Sequence, residues 1–148
     1  MTSMGARADH DLQAVLIAQA NGSYVYEAGE RVFSEGRKCV GVFVVLSGTV
    51  RLFLRSDRDS RLMERVATAG CVLGLPATVS GAAYSLTAEA MERAELVHVS
   101  RPRLTKLMQT DTVSAIKLLG LLSGEIRMLR TEMAKGNTQG RGAATQTK

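Results

Sequence analysis

Cysteine and histidine are scarce in this 148-residue sequence, which holds only Cys39 and Cys71, and only His10 and His98. Two thiols are too few for a disulfide scaffold, or for a four-thiolate zinc or iron–sulfur site built within one chain. Both cysteines are expected as small, buried or half-buried apolar residues. Long apolar runs are missing too: nothing approaches the roughly 20 residues that cross a bilayer, and Met1–His10 is polar and small. No membrane contact and a cytoplasmic location are therefore expected. Concentrated charge is also lacking. The net charge is +5, but Lys135, Arg141 and Lys148 supply three of the five in a stretch without acids, leaving a nearly neutral body. Such a body offers no strong field to a phosphate backbone.

The residues that are present suit one folded unit. A chain of this length buries roughly 70% of its unfolded surface, which leaves no room for a second full domain. Residues 1–8 and 135–148 hold little that burial could order and are expected to be disordered, with the domain over 9–134. Asp9 is placed to cap a helix over His10–Ala20, in which Leu12, Val15, Leu16 and Gln19 recur at helical spacing and which Asn21-Gly22-Ser23 stops. From Tyr24 to Ser100 the residues alternate or run in β-branched groups between closely spaced turns. The predicted strands are Tyr24–Glu27, Arg31–Ser34, Val42–Ser47, Thr49–Arg55, Leu62–Ala67, Ser85–Met91 and Glu95–Ser100. Val42–Leu46 is apolar throughout and reads as buried on both faces, whereas Val50, Leu52 and Leu54 alternate with Arg51, Phe53 and Arg55. Ser47-Gly48 joins these two as a tight hairpin. The fold class is mainly β with flanking helices, an antiparallel β-roll or jelly roll.

Past Ser100 the helical period returns. Pro102 opens a helix over Arg103–Thr110, and Asp111 or Thr112 caps a longer one over 112–133. Ala115, Leu119, Leu122, Ile126, Leu129 and Met133 are spaced by alternating fours and threes, a heptad seam. Val113, Ile116, Leu118 and Leu121 form a second apolar set that can cover the β-domain, so the seam is free for a homodimer contact with two-fold symmetry.

Several motifs together resemble the cyclic nucleotide-binding domain. Tyr26–Gly36 looks like its paired-glycine entry strand, and Val42–Val50 is similar to its hairpin. Gly70-Cys71-Val72-Leu73-Gly74-Leu75, followed by Thr87-Ala88-Glu89-Ala90, is similar to the segment that builds its phosphate-binding cassette. The resemblance covers about Leu12 to Met133 and is nearest to sensor domains of the Crp/Fnr transcription regulators. It implies a jelly roll whose C-terminal helix forms the dimer seam and passes ligand state to a helix-turn-helix domain. No such domain is seen after Met133, so direct DNA recognition by this chain is not expected.

The same resemblance places a Glu after the cassette glycine and an Arg before the next strand, to hold the ribose and the phosphate. Here the matching residues are Leu75, after Gly74, and Tyr84, before Ser85. Neither supplies the charge that a buried phosphodiester needs. Ser85 and Thr87 remain as hydroxyl donors, and Pro76 removes one backbone N–H from the cradle. Three readings stay open: a pocket for another ligand, contacted by Leu75, Ala77, Tyr84 and Ser85; a dimerisation platform with no small molecule; or true cyclic-nucleotide binding, with Arg61, Arg65 or Arg93 reaching in. Two histidines do not make a cupin-type metal site, and no nucleophile has a partner base, so an enzyme is not expected. His98, between Val97 and Val99, is expected to face water. A thiol-based redox sensor at Cys39, beside Arg37 and Lys38, is a further alternative, as is a heterodimer with a full-length regulator.

Overall fold

The computed structural model describes residues 3–4, 6–55 and 61–125. In chain order the elements are β1 (Ser3–Met4), α1 (His10–Ala18), β2 (Gly22–Tyr26), β3 (Arg31–Phe33), β4 (Gly41–Ser47) and β5 (Val50–Arg55). There follow β6 (Arg61–Ala67), β7 (Val72–Leu73), α2 (Leu75–Ser80), β8 (Thr87–Ala90), β9 (Ala94–Ser100) and α3 (Arg101–Thr110). The chain is helical again over residues 112–125, here called α4. The strands form two sheets, ordered β1-β6-β5-β8-β3 and β2-β9-β4-β7. Every pairing is antiparallel except that of β1 with β6. The predicted roll is the observed architecture.

Two apolar layers hold it together, one on each face of the four-stranded sheet. Alternation along β4 and β9 sends Phe43, Val45, Ala94 and Leu96 towards the other sheet, where they meet Phe33, Val50, Leu52, Ala67 and Ala88. Val42, Val44, Val97 and Val99 point the opposite way and pack on Leu12 and Leu16 of α1, Leu104 and Leu107 of α3, and Leu118 of α4. The uniformly apolar run in β4 is thus explained, because both its faces are buried. Gly48 makes the expected turn with φ +84°, and a Cβ there would collide with the Arg93 carbonyl oxygen.

The helices are fixed locally. Asp9 caps α1 by accepting from Leu12 N–H at 2.7 Å, the chief reason its carboxyl is held below the ordinary value, and it pairs with Lys117 of α4 at 3.0 Å. Asp111 caps α4 by accepting from Ser114 N–H and Oγ.

Several expectations need correction. The N-terminal segment expected to be disordered contains β1, and Ala8 is buried in the helix-side core. Phe53, assigned to the polar side of β5, is fully buried, so both faces of that strand are covered there. On α4 the buried positions are Ser114, Leu118 and Glu125, with Leu121 and Leu122 packed beside the helix-side core. Val113 and Ile116 therefore do not cover the β-domain. They are exposed with Leu119 in one stripe, while Ala115 is half-buried. Ile126, Leu129 and Met133 lie outside the described residues, as do residues 135–148.

Candidate ligand cleft

The segment between β7 and β8 builds a cleft against β3, β5 and α4. Strand β7 is followed by Gly74, whose φ of +82° suits glycine, and a Cβ there would come within 3.0 Å of the Tyr84 ring. Helix α2 begins at once, with Pro76 in its first turn, where no N–H is needed, and Thr78 Oγ1 donating to the Gly74 carbonyl at 2.8 Å. Gly81, in the same left-handed conformation, ends it. Leu75 turns away from the cleft into the helix-side core.

The returning segment carries Tyr84, which is buried. Its ring stacks on Phe33 with centroids 3.9 Å apart and planes at 11°. Its hydroxyl donates to the Gly41 carbonyl at 2.8 Å and accepts from Val40 N–H at 3.1 Å, tying the segment to the start of β4. Burial pushes this phenol up to about 12. Backbone bonds from Gly36 N–H to the Tyr84 carbonyl and from Tyr84 N–H to the Arg37 carbonyl complete the tie.

The cleft that results is lined by Phe33, Leu52, Gly74, Pro76, Ala77, Tyr84, Ser85, Leu86 and Glu125. Its cavity volume is about 10 Å³, room for about one water centre. Glu125 is its one charged lining residue among the described ones. This carboxylate, on α4, is 5% exposed, and its Oε2 lies 3.5 Å from Nη2 of Arg65, which is fully buried. Arg65 stands opposite Leu52 in the β5–β6 register, and directly opposed residues share a face, so its side chain leaves β6 towards the inside of the roll. Burial raises the Glu125 pKa and the Arg65 charge opposes that rise. Glu125 Oε1 has no hydrogen-bond partner among the described residues.

A family model described as the cyclic nucleotide-binding domain matches residues 24–111. The chain belongs to that family. Solved structures similar to it are regulators of the Crp/Fnr type. They include the catabolite activator protein of Thermus thermophilus, at 21% identity and TM-score 0.74, over 85% of this chain and 59% of that one. FixK2 of Bradyrhizobium japonicum is 26% identical with TM-score 0.66, over 77% of this chain and 54% of that one. The sensor domain of the transcriptional regulator DNR of Pseudomonas aeruginosa is 20% identical with TM-score 0.66, over 82% of this chain and 81% of that domain. The chain thus spans under two thirds of the first two proteins and most of the isolated sensor domain. No curated protein sequence matches it. No helix among the described residues is long and apolar enough to cross a membrane.

Of the residues singled out from the sequence, Gly74, Pro76, Ala77, Tyr84 and Ser85 meet at the cleft. Leu75 and Thr87 do not. The Thr87 hydroxyl accepts from Glu35 N–H at 3.0 Å, and Thr87 shares a face with Phe53 in the β5–β8 register. Arg65 is turned inward against Glu125, and Arg93 is surface-exposed and paired with Glu27 at 2.6 Å. Phe33, Leu52, Leu86 and Glu125 were not foreseen. Helical phase could have flagged Glu125, since it follows the buried Ser114 and Leu118 and the half-buried Leu121 at helical intervals.

The remaining candidates have other surroundings. His98 is half-buried, its Nε2 3.1 Å from the Val40 carbonyl and its ring 4.9 Å from that of Phe43, so it does not simply face water. It points to the sandwich face of β9, opposite to Val97 and Val99. Half-buried Cys39 lies 3.2 Å from Thr78 Oγ1, and burial raises the pKa of the Cys71 thiol. Among the described residues no cluster of three metal-ligating side chains occurs.

Proposed function

We propose that the chain is a regulatory sensor module of the Crp/Fnr type in which the cyclic-nucleotide cassette has lost its anion chemistry. It is non-catalytic and pairs through α4 as a homodimer. The observation that carries this reading is the fate of the two cassette positions. Leu75 is packed in the helix-side core, and Tyr84 is stacked on Phe33 with its hydroxyl committed to the start of β4.

A buried phosphodiester needs a fixed positive charge, or it forfeits several kcal/mol of hydration without return. The cleft presents a carboxylate instead, backed by an arginine that the carboxylate already engages. Like charges brought together away from water repel strongly. The exposed stripe of Val113, Ile116 and Leu119 supports pairing, since such a stripe on a solvated helix suits a second copy of the same helix. A heterodimer with a full-length regulator would use the same stripe.

Calorimetric titration with cAMP and cGMP tests the reading. Neither should bind at concentrations up to about 1 mM, a ceiling equal to roughly 4 kcal/mol of binding free energy. Saturable micromolar binding of either would refute it.

A further inference from the structure

We propose that the cleft takes a small ligand bearing a hydrogen-bond donor, neutral or cationic, whose N–H or O–H is accepted by Glu125 Oε1. This rests on the reading that the cleft has abandoned anion binding. Glu125 is 5% exposed, lines the cleft, and keeps Oε1 without a hydrogen-bond partner among the described residues. A buried carboxylate oxygen left unpaired is destabilising, so a donor placed there gains both its own bond and relief of that deficit.

The other walls define the rest of the ligand. Phe33, Leu52, Pro76 and Leu86 are apolar, the Tyr84 hydroxyl is already bonded twice, and Ser85 is the remaining polar residue among the described lining ones. The fitting molecule therefore has a compact apolar body and one donor group. Because the cavity holds only about 10 Å³, entry requires the lining side chains to move apart.

Three molecules sharing one ring separate the possibilities: benzylamine, benzyl alcohol and benzoate, followed on the intact chain by amide chemical shifts. The expected result is saturable shifts at Gly74, Ser85 and Glu125 with benzylamine in about the millimolar range, weaker ones with benzyl alcohol, and benzoate weaker than the amine by about tenfold or more. In Glu125→Gln the advantage of the amine over the alcohol should disappear, and the same spectra report whether that variant is folded. The wild-type ranking decides alone if it is not. Benzoate binding as tightly as benzylamine, or benzylamine causing no localised shift, overturns the inference. Neither result touches the loss of cyclic-nucleotide binding, which fails only if cAMP or cGMP binds.

Discussion

The two faces of the four-stranded sheet are buried in different ways. The helix-facing side is closed by aliphatic side chains from all four helices, with Val42, Val44, Val97 and Val99 beneath them. The sandwich-facing side is equally apolar over most of its area, but at one end it opens on a cleft that gathers Tyr84, Glu125 and the Arg65 behind it. A dry face needs only volume and shape to be right. The cleft face needs partners for each polar atom, and that is where a site can be retuned without disturbing the fold.

The largest expected effect breaks the cleft side. Arg65→Met strands a buried carboxylate, and loss of one member of such a pair costs about 3–5 kcal/mol. Replacing both members, in Arg65→Met with Glu125→Leu, should recover most of that loss in urea unfolding. If the single and double variants were equally unstable, Arg65 would be acting through packing and not through the pair. On the dry face, Leu16→Ala should cost about 2–5 kcal/mol, with no change in any ligand titration.

Smaller effects sharpen the contrast. Tyr84→Phe leaves Val40 N–H and the Gly41 carbonyl without their partner, at about 1–3 kcal/mol. Because the folded phenol is raised from 10.0 to about 12, its stabilising contribution is complete below the unfolded value and lost as pH rises from about 10 to about 12. Ultraviolet titration should show a last phenol ionising near 12 in the wild type and not in Tyr84→Phe. Smallest for the fold is Leu119→Glu on the exposed stripe, within about 0.5 kcal/mol for the isolated subunit. In sedimentation the same change should convert a dimer to a monomer.

What the sequence disclosed follows from the range of the forces involved. The apolar run in β4, the Ser47-Gly48 turn and the Asp9 cap are local, and each appears where its residues predicted. Strand β7 is two residues long and β1 pairs across the sheet, so neither has a period of its own to be read. Phe53 looked like the polar side of an alternating strand because its neighbours are arginines, yet tertiary cover buries it. The cleft was half legible: Gly74, Pro76, Ala77, Tyr84 and Ser85 are close in sequence. Arg65 and Glu125 are not, and their meeting depends on the register that sets Arg65 opposite Leu52 and on the rotation of α4.

Loss of anion binding depends on the cleft being lined by a buried acid where a nucleotide site would need a base. Carboxyl-carbon NMR of Glu125 across the acid range tests this most directly. Burial is the dominant influence, so the group should titrate above its ordinary 4.5, and its contribution to stability should be complete below that value and lost as pH rises through the folded one. A Glu125 carboxyl titrating at its ordinary 4.5, with no effect of burial, would place it in water and would contradict a buried acid in the cleft.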